Sequence, residues 1–301
     1  MPRAPDVLTV RPITGADELE LFCRIPYVLN GELRGDLEAH RRRPEWLWVA
    51  LRRDHLVARV AWWAAGEGKE PYAMDIFDTE DVDTGVRLLG AAMAGMPRTP
   101  YIRFVPPDWR ESGAPWLTAL ERTGARLFVE RLRLEWLPGT PIPEPSGRLR
   151  FRPVGERAEL VDLLTRVLDG TLDAHSRRDL ADRTPQEVAA SQYDEEFPGY
   201  SGPREWWRIA TTPDGEPIGF VIPSRNAYNA IIAYIGVVPE HRGRGYVGEI
   251  LAEGTRILAA AGVPRIRAAT DIDNVPMARA FARLGYTTIE HQVDMTWGER
   301  G

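Results

Sequence analysis

The sequence predicts a protein of the mixed α/β class that contains two copies of one domain. Stretches rich in β-branched and aromatic residues alternate with helical patterns along the chain, which is typical of this class. Short signatures recur at constant spacing, and a proline-rich stretch separates the two sets. A chain of 301 residues has room for two domains of about 150 residues each.

The repeat rests on two pairs of signatures. The recurring residues are Leu8–Pro12 with Glu18 and Leu149–Pro153 with Glu159, offset by 141 positions, and Gly124 with Trp136 and Gly285 with Trp297, offset by 161 positions. Between the two sets, the prolines of Leu137–Gly147 favour an extended, semi-rigid linker. We therefore expect one domain over residues 1–137, a linker over 138–147 and a second domain over 148–301.

Each half is expected to begin with a strand and a helical region, which a hairpin follows. In the first half, Trp46–Leu51 and Leu56–Ala65 are β-rich runs joined by a short turn. In the second half, Trp206–Thr211 and Pro217–Pro223 flank Pro213-Asp214-Gly215, which is a strong turn signal.

The remainder of the second half alternates strand and helix. The expected elements are a long apolar strand at Ala230–Val238, a helix at Tyr246–Ala261, a strand at Ile266–Thr270, a helix that starts after Asn274 and stops before Gly285, and a strand at Thr287–Trp297. Asn274 is a suitable N-cap, Pro276 is tolerated in a first helical turn, and Gly285 suits the residue after a helix.

Composition argues against several classes of function. The formal charge of −6 speaks against a nucleic-acid partner, because phosphate binding needs a concentrated basic face. The single cysteine, Cys23, allows no internal disulfide and no cysteine-based zinc cluster, and we expect no metal cofactor. The strongly apolar stretch Ile231–Val238 is too short to cross a membrane, and the N-terminus lacks the apolar core of a signal peptide. We therefore expect a cytoplasmic protein without a membrane partner, whose oligomeric state the sequence leaves open.

The segment between the long apolar strand and the next helix carries the strongest functional signal. Gly243 and Gly245 let the backbone turn tightly and approach a ligand without a Cβ in the way. The helix behind them presents N–H groups and a positive dipole end, which suits a diphosphate. Arg242 and Arg244 add positive charge and planar donors. A plain strand-to-helix turn is the alternative.

In its context, this segment resembles the acyl-CoA motif of the GNAT superfamily of N-acetyltransferases. In that motif a strand and V-x-P lead into Arg/Gln-x-x-Gly-x-Gly/Ala at the start of a helix. Arg242 and Gly245 match, and Val247 stands where the family prefers glycine or alanine. The segment Thr270–Tyr286 is similar to the second signature of the family, an asparagine-started helix that ends in L-G-[FY]. The resemblance covers residues 149–297 well and the first half by its overall pattern only.

The resemblance implies two tandem GNAT-like domains, each with a mixed, mostly antiparallel sheet flanked by helices, and acetyl-CoA as cosubstrate. The implied CoA contacts are the backbone around Val237 and Val238 for the pantetheine arm, Arg242 and the amides of Gly243, Arg244, Gly245, Tyr246 and Val247 for the diphosphate, and Asn274 beside the arm. A role for Asn274 as a helix cap alone is equally compatible. In the first half the equivalent segment, Asp75–Gly85, is acidic and would repel a diphosphate. We therefore expect the first half to be a degenerate copy that does not bind CoA.

The reaction implied by the resemblance is direct attack of an acceptor amine on the thioester in a ternary complex, without a covalent enzyme intermediate. Many relatives use a glutamate on the fourth strand and a tyrosine in the last helix. The corresponding strand here has no carboxylate, and Ala282 stands at the tyrosine position. Asp271 is our first candidate for the base or ammonium anchor, with a turn aspartate as the alternative. Tyr234 is the candidate acid or water holder, with pocket lining as the alternative.

Three more residues are candidate acceptor contacts. Asn226 and Tyr228 precede the long apolar strand and suit either a polar acceptor or a turn. His175 lies in the variable helical region that usually sets acceptor specificity in this fold, and it is either a base in a cleft or a structural histidine.

We therefore expect an N-acetyltransferase that acts on a small amine, an amino sugar or an amino-acid-derived metabolite. The tandem layout with one degenerate half also resembles mycothiol synthase. A non-catalytic acyl-CoA sensor or interaction module is the alternative from another class, because the usual catalytic pair is missing. An aminoacyl transferase that uses charged tRNA is disfavoured by the acidic balance of the chain.

Overall fold

The computed structural model describes residues 7–112 and 114–298. The chain forms two compact units: residues up to 130 together with those from 292 onwards form the first, and residues 131–291 form the second. The proline-rich segment 138–147 thus belongs to the second unit. These limits differ from the expected boundaries at 137 and 148, because the end of the last strand of each half lies in the unit of the other half.

The first unit contains a sheet with helices packed on it. Its elements are β1 (Leu8–Pro12), α1 (Leu19–Phe22), α2 (Leu33–Glu38), β2 (Leu47–Arg52), β3 (His55–Trp63), β4 (Ala73–Thr79), α3 (Val82–Ala92), β5 (Tyr101–Val105), α4 (Pro115–Arg122), the first residues of β6 (Ala125–Trp136) and the last residues of β12 (Thr287–Trp297). The strand order is β1-β2-β3-β4-β5-β12. β1 to β4 pair antiparallel, whereas β4 and β5 pair in parallel.

The second unit repeats this plan. Its elements are the end of β6, β7 (Arg150–Pro153), α5 (Arg157–Leu168), α6 (Ala174–Asp179), α7 (Pro185–Ser191), β8 (Arg208–Thr211), β9 (Pro217–Arg225), β10 (Ala230–Val237), α8 (Tyr246–Ala260), β11 (Ile266–Asp271), α9 (Val275–Arg283) and the start of β12. The strand order is β7-β8-β9-β10-β11-β6. Only β10 and β11 pair in parallel among these neighbours. A mixed, mostly antiparallel sheet is therefore confirmed for this unit.

The repeated signature folds in the same way in both units. In the first, Arg11 donates two hydrogen bonds to the carboxylate of Glu18, at 2.8 and 2.6 Å. In the second, Arg152 binds Glu159 in the same bidentate manner. Each glutamate also accepts the backbone N–H of the residue four positions earlier. The repeat predicted from the offset of 141 positions is thus confirmed in three dimensions.

Both faces of the second sheet are covered by helices. Along β9, Val221 faces the apolar cluster that includes α8 and α9, whereas Phe220 and Ile222 face the cluster that includes α5 and α7. Gly236 allows α5 to approach β10 closely, because a Cβ at this position would lie 2.4 Å from Cγ1 of Val167. The end of β10 is therefore held firmly where the candidate functional loop begins.

Most of the predicted strands and helices differ from the observed ones by one or two residues at one end or both, and two of the strand starts differ for a local reason. β8 begins at Arg208 instead of Trp206, because residues Arg204–Trp206 form a 3₁₀ turn. β2 begins at Leu47 instead of Trp46 for the same reason. Within the described residues, no helix is both long and apolar enough to cross a membrane.

Candidate functional site

The centre of the candidate site is a gap between two strands of the second unit. β10 and β11 pair at only two positions, the second being Ile231↔Arg267. β10 nevertheless continues to Val237, and β11 continues to Asp271. Beyond the paired positions the strands diverge and leave an edge at which an extended ligand can add strand-like hydrogen bonds.

The loop after β10 has the geometry that its glycines predict. Gly243 and Gly245 have φ angles of 76° and 79°, in the left-handed region that other residues avoid. No described atom lies within 4 Å of a Cβ built at either glycine. Gly245 is the N-cap of α8 and provides no side-chain cap.

The start of α8 therefore presents free backbone donors. In the part of the chain that the structure describes, the amides of residues 243–247 donate to no protein oxygen, and Gly248 N reaches Gly245 O at 3.2 Å. A helix of 15 residues places its positive dipole end and its first N–H groups at this point. The arrangement has the chemistry of an anion site and suits a diphosphate.

A cavity of about 350 Å³ lies in front of this loop. Its walls come from the loop, the end of β10, the turn after α5 and the start of α9, and they include the apolar side chains of Val167, Leu172, Ile235, Val237, Val247 and Met277. An apolar chamber with backbone donors at one end fits a ligand that has an apolar arm and an anionic group.

Arg242 has a different use from the expected one. Its Nε donates to Val237 O at 3.0 Å, and its Nη atoms donate to the carbonyls of Val167, Asp169 and Gly170 at 2.8, 2.7 and 3.3 Å. Cations are favourable at helix C-termini, where α5 leaves such carbonyls unpaired. The side chain therefore joins α5 to β10 and positions the loop, and its fork of donors is not aimed at a diphosphate.

The residues of β10 whose backbone groups face the gap also differ from the expected pair, Val237 and Val238. Val238 N donates to Ile218 O of β9 at 3.0 Å, so this amide is used inside the sheet. Because successive residues of a strand direct their backbone groups to opposite edges, Ile235 and Val237 face the gap. The N–H of Val238 is therefore not available at this edge, whereas the backbone groups of Ile235 face it. The sequence could have indicated Ile235, because residues two positions apart on a strand direct their backbone groups to the same edge and Ile235 lies two positions before Val237.

Asn274 caps a helix and also lines the cavity. Its Oδ1 accepts from Met277 N at 3.4 Å, so it is the N-cap of α9. It also forms part of the wall of the cavity. The helix cap therefore fixes a polar side chain beside the gap.

Asp271 is buried at the end of β11, with 2% of its surface exposed. Its Oδ2 accepts from Ala174 N at 2.7 Å, and its Oδ1 lies 3.0 Å from Nε of Arg131. Burial raises the pKa of Asp271, although the Ala174 N–H and the charge of Arg131 oppose the shift. The carboxylate therefore ties β11 to the start of α6 and is more basic than an exposed aspartate.

Tyr234 lies on β10 and stacks on Phe220, with ring centroids 5.6 Å apart. Burial and the charge of Asp173 raise the pKa of Tyr234 to about 12, against the effect of hydrogen bonds with the side chains of Ser176 and Gln192. The phenol thus stays protonated at neutral pH and can act as a donor. The structure brings Tyr234 and Asp271 into one region, because the charge of Asp173 acts on both.

The other expected acceptor residues are divided between two places. His175 lies in α6 and is close enough to Asp271 for its charge to favour the carboxylate. Asn226 and Tyr228 lie in the turn before β10, where Asn226 Oδ1 accepts from Tyr228 N at 2.9 Å. Since the cavity adjoins the other end of this strand, at Val237, about 20 Å of extended chain separates it from the turn. The structure therefore brings His175 to the candidate site and leaves Asn226 and Tyr228 away from it.

The corresponding helix of the first unit begins in the opposite way. Asp81 is the N-cap of α3, and its Oδ1 accepts from Thr84 N at 2.8 Å. Asp83 adds a second carboxylate in the first turn. The position that an anion would take is thus already held by the protein's own carboxylate.

The strand gap of the first unit is filled by side chains. β4 and β5 pair only at Met74↔Tyr101. Arg103 crosses the gap, with Nη1 donating to Phe77 O at 2.6 Å and Nη2 donating to Asp78 Oδ1 at 2.8 Å. On the other strand, Phe104 N donates to the hydroxyl of Tyr27 at 2.9 Å. Side chains therefore take the backbone positions that an extended ligand would need.

Comparison with known proteins agrees with this geometry. Residues 174–286 match the family model of the acetyltransferase (GNAT) family. The matched segment runs from α6 to the residue after the left-handed Gly285, so it contains the gap, the loop and the cavity wall at Asn274. Most of the second unit is therefore similar to a GNAT acetyltransferase domain.

Solved structures with the same fold cover nearly the whole chain. A GCN5-related N-acetyltransferase from Sphaerobacter thermophilus is 16% identical with a TM-score of 0.60, over 97% of this chain and 96% of that one. A tandem GNAT protein from the clavulanic acid biosynthesis pathway is 16% identical with a TM-score of 0.52, over 98% and 100%. A glucosamine N-acetyltransferase region of a fungal multi-domain β-N-acetylglucosaminidase is 15% identical with a TM-score of 0.58, over 97% of this chain and 38% of that one. The tandem GNAT fold predicted from the two signatures is confirmed.

Proposed function

We propose that this protein is an acetyl-CoA-dependent N-acetyltransferase that modifies the amine of a small molecule. The observation that carries the proposal is the uncapped start of α8 behind Gly243 and Gly245, which opens onto an apolar cavity beside an unpaired strand edge. The diphosphate of acetyl-CoA matches the uncapped helix start, its pantetheine arm matches the apolar cavity, and its thioester matches the unpaired strand edge. The GNAT domain at residues 174–286 supports the same reading.

In the proposed binding mode, the amides of residues 243–247 hold the diphosphate. Ile235 and Val237 pair with the amides of the pantetheine arm, and Asn274 lies beside it. Arg242 does not touch the ligand but keeps the loop and α5 together. A backbone N–H at the β10 edge stabilises the oxyanion that forms on the thioester carbonyl.

The chemical step is a direct transfer. The neutral amine nitrogen attacks the thioester carbonyl carbon, the C–S bond breaks, the nitrogen loses its extra proton to become an amide, and the leaving thiolate takes up a proton. An alkyl ammonium with a pKa near 10 is neutral to only about one part in a thousand at pH 7, which costs about 4 kcal/mol. Asp271, made more basic by its burial, receives the ammonium proton directly or through a water, and Tyr234 donates a proton to the thiolate.

The acceptor is proposed to be a small amine that enters from the side of α6 and α7. The fungal structure described as a glucosamine N-acetyltransferase region has the same fold, which supports an amino-bearing acceptor for this chain. The first unit is proposed to bind no CoA, because Asp81 caps α3 and Arg103 fills the gap between β4 and β5.

Calorimetry with CoA, followed by release of free CoA from acetyl-CoA across a panel of amines, tests the proposal. We expect saturable binding and turnover with at least one amine. Replacement of Asp271 by Asn should lower kcat by about 100-fold or more, whereas Asp273→Asn, an exposed neighbour, should not. Absence of any binding heat at millimolar CoA would exclude the proposed function.

A non-catalytic acyl-CoA sensor remains the second candidate because of one observation. Oδ2 of Asp271 already accepts from Ala174 N, and Oδ1 lies in an ion pair with Arg131 without a hydrogen bond. α9 also carries Ala282 where many relatives have a tyrosine. Tight CoA binding without turnover across acyl donors and amines would favour this candidate.

A further inference from the structure

A group of charged and polar side chains lies beside the cavity in the second unit. We call it the acceptor cluster, and its members are Arg131, Asp173, Gln192, Glu196 and Asp271. It adjoins the cavity along three chain segments. In the first segment, Thr171 and Leu172 of the cavity wall directly precede Asp173. In the second, Ile235 of the cavity wall follows Tyr234, whose hydroxyl forms a hydrogen bond with the Gln192 side chain. In the third, N of Asn274, another cavity-wall residue, donates to Asp271 O at 2.9 Å.

The cluster has an excess of negative charge. Its three carboxylates face one guanidinium, and Arg131 is the neighbour of Asp271, with Nε 3.0 Å from Oδ1. Glu196 is open to solvent, and its only hydrogen bond among the described residues is with the hydroxyl of Tyr200, at 2.9 Å. Although part of the side chain reaches solvent, desolvation by the surrounding protein and the charge of Asp173 raise the pKa of Glu196, while the Tyr200 hydrogen bond, Arg131 and His175 lower it. The three carboxylates of the cluster therefore outnumber its one guanidinium, even with His175 nearby and with Asp173 accepting from Ser176 N at 2.7 Å as the N-cap of α6.

Gln192 supplies an independent sign of a ligand. The residue is 9% exposed, and its Oε1 is buried with no hydrogen-bond partner among the described residues. A buried carbonyl oxygen without a donor is unfavourable, because it has lost its hydrogen bonds with water. Gln192 and Glu196 begin and end one turn of π-helix, a rare conformation that is frequent at functional sites. The oxygen is therefore placed to accept from a donor that the protein itself does not provide.

We propose that the acceptor cluster selects a diamine, an acceptor with a second ammonium group in addition to the one that is acetylated. The second ammonium stays protonated, pairs with Glu196 and Asp173, and donates to Gln192 Oε1. The reacting amine then lies toward Asp271 and the gap between β10 and β11. An acceptor that carries a carboxylate is repelled by the same charges. This inference rests on the proposed function and names the class of its acceptor.

Three acceptors of equal chain length test the inference: 1,4-diaminobutane, butylamine and 4-aminobutanoate. They share the reacting amine and differ in the charge at the far end. We expect kcat/KM to fall in this order, by about tenfold or more at each step, since one close charge pair is worth about 1–3 kcal/mol in a partly solvated site. Equal values for the three, or a preference for 4-aminobutanoate, would overturn the diamine assignment while transfer itself still stood.

Variants test whether the acceptor cluster causes the preference for the diamine. Glu196→Gln should reduce the ratio of kcat/KM for the diamine over butylamine by about tenfold. Glu195→Gln, an exposed neighbour that contacts Ser191, should leave this ratio unchanged. If both variants keep the ratio, the cluster does not contact the second ammonium. If no amine is turned over, calorimetry of 1,4-diaminobutane with the CoA-bound protein tests the cluster separately from the proposed acetyl transfer. Selective binding of the diamine that is lost in Glu196→Gln would support the cluster even though transfer fails.

Discussion

The helix that begins at Tyr246 provides the sharpest test of the anion site. The two halves of the chain differ at this point: α3 has Asp81 as its cap, whereas α8 has Gly245 and no side-chain cap. Replacement of Gly245 by Asp would place a carboxylate at the start of α8, as Asp81 does at the start of α3, although Gly245 is left-handed and Asp81 is extended. Replacement by Asn adds nearly the same atoms without the charge, so the pair of variants isolates electrostatics.

The magnitude follows from the local geometry. Apart from its immediate neighbours in the chain, no described atom lies within 4 Å of a Cβ at position 245, so neither variant clashes with a more distant part of the protein. The left-handed φ of 79° costs either residue about 1 kcal/mol, and Asn and Asp tolerate it best. A carboxylate about 5 Å from a diphosphate charge is repelled by about 3 kcal/mol at an effective dielectric constant near 20, and exposure of the loop reduces this to about 1–2 kcal/mol. We therefore expect CoA to bind the Asp variant about 5–30-fold more weakly than the Asn variant.

Calorimetric titration of CoA into the wild type and both variants measures the effect. The difference between the Asp and Asn variants should shrink at high ionic strength, because the loop is exposed and salt screens its charges. Thermal unfolding of both variants should stay within a few degrees of the wild type, which controls for misfolding. Equal dissociation constants for the two variants at low salt would refute a diphosphate in front of α8.

Three further predictions concern the framework of the two units. Gly236→Ala should lower the free energy of unfolding by about 1–3 kcal/mol, because the added Cβ would stand 2.4 Å from Cγ1 of Val167. The control Gly90→Ala, in open space on α3, should be neutral or stabilising in the same denaturant titration. Arg103→Met should lower the melting temperature by removing the donors to Phe77 O and Asp78, and it should leave the CoA dissociation constant unchanged; a gain of a second CoA site would mean that Arg103 alone blocks the first unit. The Arg11 hydrogen bonds lower the pKa of Glu18 from 4.5 to about 2, so Glu18→Gln should cost about 1 kcal/mol at neutral pH after allowance for solvent screening. This contribution is present above the unfolded pKa and is lost as the pH falls toward 2; a cost that persists below pH 2 would contradict the assignment.

The local features of the site were readable from the sequence. The left-handed glycines, the start of α8 at Tyr246, the cap at Asn274 and the terminal strand Thr287–Trp297 all agree with the prediction. Each depends on contacts within a few residues along the chain, where glycine φ preferences, capping and hydrophobic periodicity act directly.

What the sequence alone determined is therefore the repeated fold, the glycine loop and the uncapped helix start behind it. Only the tertiary structure decided that Arg242 binds carbonyls of α5, that Asp271 holds Ala174, and that Arg103 fills the gap of the first unit. It also decided that Asn226 lies in a turn remote from the cavity. The contacts link residues that are tens of positions apart in the chain, and the distance from Asn226 to the cavity depends on the length of a whole strand. Buried donors and acceptors find such partners only when the sheet and helices are assembled.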